Sequence, residues 1–89
     1  IRPDEVSRVK KDIEEALGRG AKLLCGNEVA GNKGQFLLPT VLADVPRDAN
    51  LMTREVFGPV VCLNSYEDED ELVRYLNTNP YPFEACLYT

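Results

Sequence analysis

Residues 55–61, Glu55-Val56-Phe57-Gly58-Pro59-Val60-Val61, place a carboxylate and an aromatic ring on a bend that leads directly into a strand. Gly58 allows backbone angles that other residues avoid, and Pro59 fixes φ and has no N–H to donate. The run over residues 60–63 is continuously apolar and starts with β-branched residues, which predicts a strand covered on both faces. Pro59 is compatible with this strand because it would be the strand's first residue.

Local physics leaves two interpretations of this bend open. It can present Glu55 and Phe57 at a strand end, where α/β proteins often place binding sites. Alternatively, Phe57 fills the core and Glu55 is a solvated charge, because special turns are common and sites are few.

Upstream of the bend, an amphipathic helix is predicted to open at residues 2–5, where proline and acidic residues suit the first turn. Opposite charges four residues apart lie on its solvated side, as Lys10–Glu14 and Lys11–Glu15. We expect its apolar stripe to cover the protein's own sheet rather than a partner. The stripe consists of Val6, Val9, Ile13, Ala16 and Leu17.

Gly18 and Gly20 end this helix, and one of them is expected in the left-handed conformation. A short strand follows over residues 21–25. Residues 26–34 are rich in glycine and asparagine, which indicates a surface loop. Their glycine spacing matches neither a dinucleotide fingerprint nor a P-loop, so no phosphate cradle is predicted there.

Residues 36–45 are extended and apolar but interrupted by Pro39, which predicts an edge strand or two short segments. One helical turn over residues 51–54 leads into the bend. A second helix is predicted over residues 68–76, since its first turn is almost wholly acidic, and a final strand over residues 84–89. This alternation favours an α/β layer with an at least partly parallel sheet. The buried stripe of the second helix would be Leu72, Val73 and Leu76.

The composition of the 89 residues excludes several classes of protein. The net charge of −5 argues against nucleic-acid binding. The absence of histidine, the lack of a C-x-x-C spacing and the wrong spacing of the acidic run over residues 67–71 predict no metal site. No apolar run is long enough to cross a membrane. The chain begins with Ile1 rather than methionine, so we expect a piece of a longer protein.

The cysteines at positions 25, 62 and 86 all lie in apolar, strand-like runs. Such positions are typical of reduced, buried thiols that behave as small hydrophobic residues. Reduced thiols in turn favour a reducing, cytoplasmic compartment.

Four segments together resemble the NAD(P)-dependent aldehyde dehydrogenase superfamily. The bend matches that superfamily's E-[IVL]-F-G-P-V signature. Residues 20–26 are similar to its GAKLLCGG segment, residues 34–45 to G-x-F-x-x-PTVLTDV, and residues 68–89 to DEDEAI…AN-x-T-x-YGL-x-A-x-VFT. The segments occur in family order and with family spacing across nearly the whole chain.

The resemblance implies an enzyme that oxidises an aldehyde to a carboxylic acid with NAD or NADP. It also implies that Glu55 bonds the nicotinamide-ribose hydroxyls and that Phe57 lies against the nicotinamide end. A carboxylate suits this role because it accepts two charge-assisted hydrogen bonds at once. Two positions depart from the family pattern: Arg54 stands where a second acidic residue is usual, and Pro82 replaces a flexible glycine.

The family's G-Q-x-C context surrounds none of the three cysteines, so no catalytic residue is expected in this chain. By resemblance, residues 1–89 are the C-terminal part of the catalytic domain, downstream of the nucleophile. The expected fold is α/β, a partial three-layer sandwich with a mostly parallel sheet. The expected partners are the remainder of the parent chain, an aldehyde and identical subunits, with no nucleic acid or membrane. The alternative is a free-standing acidic α/β interaction module without catalysis.

Overall fold

The structure, a computed structural model, describes residues 3–54, 56 and 58–78. Its helices are α1 (Pro3–Gly18), α2 (Asn50–Thr53) and α3 (Glu69–Asn77). Its strands are β1 (Lys22–Cys25), β2 (Val29–Ala30), β3 (Phe36–Leu37), β4 (Thr40–Ala43) and β5 (Val60–Leu63). The predicted final strand, residues 84–89, lies outside the described residues. No helix in the described part of the chain is long and apolar enough to span a membrane.

The α1 helix buries the predicted apolar stripe. One predicted ion pair is present, with Lys10 Nζ 3.7 Å from Glu14 Oε1. Glu15 is instead paired with Arg19, at 3.2 Å. Gly20 has φ +104°, which confirms a positive-φ glycine just beyond the helix. The stripe residues Val6, Val9, Ile13 and Ala16 are buried, and Leu17 is partly buried against them.

β4 is the middle strand of a three-stranded sheet with the order β1-β4-β5. It pairs parallel with β5 and antiparallel with β1, so the α/β class with parallel pairing is confirmed and the sheet is mixed. The extended run over residues 36–45 forms two short segments around Pro39, β3 and β4. The predicted loop over residues 26–34 contains β2, which pairs antiparallel with β3. A two-residue strand carries too little periodicity to be read from sequence.

The core lies between α1 and one face of this sheet. Leu42 of β4 is fully buried there, and Val45 and Ala49 extend the cluster beyond the strand. Full burial of an aliphatic side chain of this kind is worth about 1.5–3 kcal/mol. The packing of α1 on the sheet therefore supplies much of the hydrophobic stabilisation of the fold.

Two predictions of burial in the strands are wrong. β5 is not covered on both faces, because Val61 and Leu63 are exposed. Its inward-facing residues, Val60 and Cys62, are partly buried against the core. Cys25 is exposed, as are the other three residues of β1.

The predicted buried stripe of α3 is also incorrect. The helix begins as expected, with Asp68 as the N-cap accepting a hydrogen bond from the Asp70 N–H at 2.9 Å. However, none of its residues is fully buried. It meets the segment between β4 and α2 through Arg47, whose guanidinium carbon lies 4.7 Å from the centre of the Tyr75 ring. Val73 and Leu76 are exposed.

Candidate functional site

The two predicted site residues, Glu55 and Phe57, lie outside the described residues. The residues around them are described: Arg54 and Val56 flank Glu55, and Gly58 follows Phe57. The structure therefore defines the frame that holds the bend.

On the upstream side of the bend, a side chain of α1 accepts the hydrogen bond that an N-cap side chain would normally accept at the start of α2. The N-cap residue, Ala49, makes no side-chain capping bond. Instead, the Asn50 N–H donates to Glu15 Oε1 at 3.1 Å, and Asn50 Nδ2 donates to Asp12 Oδ1 at 3.2 Å. The Glu15 carboxylate thus satisfies a backbone donor that is unpaired at the start of a helix, and the Asp12 carboxylate binds the side chain of the same residue. The short turn before the bend is anchored to α1.

Asp12 is a charged residue in a buried place, with only 7% of its surface exposed. Besides Asn50, it has Arg54 nearby, with Nη1 4.0 Å from Asp12 Oδ1. The Arg54 N–H donates to the Asn50 carbonyl at 3.0 Å. A buried carboxylate is destabilising unless it is paired and hydrogen-bonded. These contacts satisfy Asp12 and fix the residue that immediately precedes Glu55.

On the downstream side, the bend is joined to the start of the sheet. The Val60 N–H donates to the Gly58 carbonyl at 2.9 Å, which closes a tight turn around Pro59. The Pro59 carbonyl accepts a hydrogen bond from the Thr40 N–H at 2.8 Å. A methyl group added at Gly58 would lie 3.6 Å from Val9 Cγ2, an ordinary contact distance. Lack of space therefore does not require glycine at this position.

Thr40 connects three segments at this edge of the sheet and is only 1% exposed. Its N–H bonds Pro59, while its Oγ1 accepts from the Asn27 N–H at 2.9 Å and donates to the Leu38 carbonyl at 2.8 Å. The end of β1, the β3–β4 connection and the bend are thereby tied to one buried side chain. A hydroxyl with both a donor and acceptor partner is fully used, which explains a polar group in the core.

The backbone at the end of β1 packs closely against Pro39 and Thr40, at the start of β4. Gly26 has φ +87°, and a Cβ there would lie 2.2 Å from the Pro39 carbonyl oxygen. Glycine is required here by both conformation and space. Asn27 follows with φ +61°, and its carbonyl and Oδ1 both accept from Lys10 Nζ, at 2.7 and 2.9 Å. The edge is held in place from α1 as well as from β4.

The bend lies at the amino end of β5, since it directly precedes Val60. Because β4 runs parallel to β5, with Thr40 opposite Val60, the amino ends of both strands meet at this edge. Ligands in open α/β sheets usually bind beyond the carboxyl ends of parallel strands. That general rule therefore gives no support to a site at this bend, and any binding role rests on the residues of the bend themselves.

The described cysteines do not resemble activated nucleophiles. Burial raises the pKa of the Cys62 thiol, whereas a reactive cysteine needs a lowered pKa. Cys25 is a free, exposed thiol on an edge strand. Within residues 3–54, 56 and 58–78, no cluster of acidic or cysteine side chains could hold a metal ion. The described residues thus form a scaffold around the bend.

Sequence reasoning did not identify Asp12, Asn50 or Thr40 as part of this frame. For Asp12 a signal was present, because it lies three residues after Val9 and four before Ala16, within the apolar stripe of α1. A charge in such a position has to find a buried partner. Neither Asn50 nor Thr40 carries a comparable signal, since both follow from contacts distant in sequence.

Comparison with known proteins finds relatives whose names place them in one class of enzyme. The family model described as "Aldehyde dehydrogenase family" matches residues 1–89. The mitochondrial aldehyde dehydrogenase of Leishmania tarentolae is 38% identical over 82 residues, which are 92% of this chain and 16% of the relative. The 3-sulfolactaldehyde dehydrogenase of Priestia aryabhattai is 37% identical over 89 residues, which are 100% of this chain and 18% of the relative.

A solved structure also matches the fold. The crystal structure of an Escherichia coli NADP-dependent enzyme superposes with a TM-score of 0.81 and 34% identity, over 89% of this chain and 16% of that one. The chain spans less than one-fifth of the length of the relatives that it matches.

Proposed function

This chain belongs to the aldehyde dehydrogenase family, and we propose that it is the C-terminal part of the catalytic domain of an enzyme that oxidises an aldehyde to a carboxylic acid. The observation that carries the proposal is the family match over residues 1–89, which includes the E-V-F-G-P-V bend. The small share of the relatives' length supports a longer parent chain that supplies the nucleophile.

Within that parent, we propose that Glu55 and Phe57 contact the cofactor. Enzymes of the family depend on NAD(P)+ in general, and the nicotinamide supplies the hydride acceptor when it is bound. The Glu55 carboxylate has the chemistry to accept hydrogen bonds from two ribose hydroxyls. Phe57 offers an apolar ring for the nicotinamide end. The proposal covers both NAD and NADP.

The frame supports this role because positioning depends on rigid neighbours. Asp12 holds Arg54 on one side of the bend, and Thr40 holds Pro59 on the other. A cofactor contact placed loosely by even about 1 Å loses much of its effect on rate. The α1 and β4 contacts supply the support that such a contact needs.

The remaining expectations concern the parent protein's surroundings. We propose that it works on an aldehyde as a homo-oligomer in the cytoplasm, together with the remainder of its own chain. The free thiols of Cys25 and Cys62 are consistent with a reducing compartment.

The test is aldehyde-dependent formation of NADH or NADPH by the purified parent, together with the reading frame upstream of Ile1. A G-Q-x-C segment and a dinucleotide-binding domain upstream, with activity on simple aldehydes, are the expected results. An inactive parent whose reading frame lacks both would favour the alternative of an acidic α/β interaction module.

A further inference from the structure

Asp12 is a charged residue within the buried stripe of α1. It lies three residues after Val9 and four before Ala16, both of which are buried, and only 7% of its own surface is exposed. Burial of a carboxylate is unfavourable unless the group is paired and hydrogen-bonded. An apolar side chain of similar volume would fill such a position without this electrostatic cost. Asp12 is therefore a candidate for a role beyond the packing of α1.

The Asp12 carboxylate contacts both ends of α2, the four-residue helix that precedes the bend. Asn50, the first residue of α2, donates through Nδ2 to Asp12 Oδ1 at 3.2 Å. Arg54, the C-cap residue, places Nη1 4.0 Å from the same oxygen. One buried carboxylate thus links the start and the end of α2 to α1.

The α2 helix needs support from outside itself. A helix of a single turn is too short to be stable in isolation. Its N-cap residue, Ala49, makes no side-chain capping bond, and none of its four residues is fully buried. Glu15 binds the first backbone N–H of the helix, whereas Asp12 also reaches Arg54 at the other end. The position of Arg54, which Glu55 follows directly, therefore depends on Asp12.

We propose that Asp12 is a positioning residue, which fixes the upstream side of the bend, and with it Glu55, from α1. It acts indirectly, through Asn50 and Arg54. Its importance for the reaction rests on the proposed function, in which Glu55 contacts the cofactor. Without the Asp12 carboxylate, the bend would keep its downstream support from β4 and lose part of its upstream support.

The experiment compares the parent with Asp12→Ala and Asp12→Asn at a temperature at which every variant is folded. Amide hydrogen exchange of a peptide covering residues 50–58 is measured by mass spectrometry without cofactor, and the affinity for NADH or NADPH by fluorescence titration. Asp12→Ala should speed exchange of this peptide at least about tenfold, since α2 then opens more readily. It should also weaken cofactor binding by roughly three- to tenfold, because the contact is less well preorganised. Asp12→Asn keeps an acceptor for Asn50 and should recover part of both effects, whereas unchanged exchange in Asp12→Ala would overturn the proposal.

Asn64→Ala is the matched control for a general loss of stability. The Asn64 side chain makes two hydrogen bonds with the Val45 backbone, at 2.8 and 2.9 Å, and follows the carboxyl end of β5, whereas the bend precedes its amino end. This variant should lower the melting temperature without changing exchange of residues 50–58 or cofactor affinity. If it speeds that exchange as much as Asp12→Ala does, the effect of Asp12 is one of general stability and the proposal is wrong.

Glu55→Gln separates this proposal from the proposed function. Added to Glu55→Gln, Asp12→Ala should weaken cofactor binding little further, because the contact that it positions is already weakened, whereas additive losses would contradict the proposal. If Glu55→Gln alone binds cofactor like the parent, the proposed cofactor contact is wrong, and faster exchange of residues 50–58 in Asp12→Ala still supports positioning of the bend. Weak binding by Glu55→Gln beside normal exchange in Asp12→Ala refutes the positioning role alone.

Arg54→Met provides the test if Asp12→Ala does not fold. The Arg54 side chain is 63% exposed, so its replacement leaves the core intact. The ion pair with Asp12 is lost, and exchange of residues 50–58 should rise about threefold, which is the effect of one weak ion pair. Unchanged exchange in this variant would overturn the proposal.

Discussion

Asp12 and Asn50 meet at the junction of α1 and α2, where Asn50 Nδ2 donates a hydrogen bond to Asp12 Oδ1 at 3.2 Å. The same carboxylate oxygen lies 4.0 Å from Arg54 Nη1, one residue before Glu55. A helix far upstream in sequence therefore sets the position at which the bend begins.

Asp12→Ala should destabilise the parent by about 1–3 kcal/mol, because Asn50 loses a buried acceptor. Asp12→Asn keeps an oxygen at this position and should recover part of the loss. Thermal melting gives the comparison, with Ser7→Ala, at an exposed position of the same helix, as the control. If Asp12→Ala melts like Ser7→Ala, the carboxylate does not anchor α2.

Glu55→Gln in the parent keeps the shape of the side chain but removes the charge from its oxygens. Charge-assisted hydrogen bonds contribute about 1.5–3 kcal/mol, so cofactor handling should weaken about ten- to a hundred-fold. The loss can fall on turnover rather than KM, because a misplaced nicotinamide slows the reaction even when the rest of the cofactor is bound. Steady-state kinetics with varied NAD(P)+ is the measurement.

Phe57→Ala should differ from Glu55→Gln in its effect on stability. Loss of a ring that is partly core should lower the melting temperature, whereas the carboxylate change should leave it nearly unchanged. Unchanged kinetics of Glu55→Gln with a large fall in melting temperature would show that Glu55 is structural.

Gly26→Ala should be strongly destabilising. The new Cβ would meet the Pro39 carbonyl oxygen at 2.2 Å, at a residue whose φ is +87°. Backbone strain of this kind is worth about 1–3 kcal/mol, before the shift of β4 that the clash requires. Gly18→Ala is the matched control, since nothing lies within 4 Å of its added methyl group. Equal melting of the two variants would show that the Gly26–Pro39 approach is not tight in solution.

The free energy of unfolding should decrease at high pH because the Cys62 thiol then loses its proton. Burial raises the pKa of its thiol above the ordinary value of 9.0, so the folded state binds the proton more tightly than the unfolded state. The resulting stabilisation is fully present below the unfolded pKa and is lost as the pH rises through the folded pKa. Melting of the parent and of Cys62→Ser from neutral pH to above the ordinary thiol pKa measures the difference. Parallel curves for the two proteins would contradict the raised pKa.

The 89-residue chain alone should produce no NADH or NADPH from any simple aldehyde, because none of its three cysteines stands in the G-Q-x-C context of the family's nucleophile. The parent enzyme, assayed in parallel, is the control. Cofactor reduction by the isolated chain would show that a catalytic group had been missed.

The sequence alone predicts the elements whose residue pattern lies within one short segment. The spacing of Val6, Val9 and Ile13 predicted α1 and its buried face, and the break at Pro39 predicted the division into β3 and β4. Burial was predicted poorly where it depends on neighbours, as at Cys25 and Val61. An apolar run reports that a face is suited to burial, but not whether residues within the chain cover it. The contacts of Asp12 and Thr40 join segments distant in sequence, which no local pattern encodes.

The single ladder of β5 also links the proposed cofactor contact to backbone opening. In the described part of the chain, β5 is hydrogen-bonded to β4 alone, and the bend is joined to the sheet through the Thr40–Pro59 hydrogen bond. Whenever β5 separates from β4, the bend loses its downstream support at the same moment. A ligand that binds only when β5 is paired with β4 stabilises the paired form by mass action. Saturating cofactor should therefore slow amide hydrogen exchange along Val60–Leu63 as well as at the bend. Exchange in this strand would thus report occupancy of the proposed cofactor site.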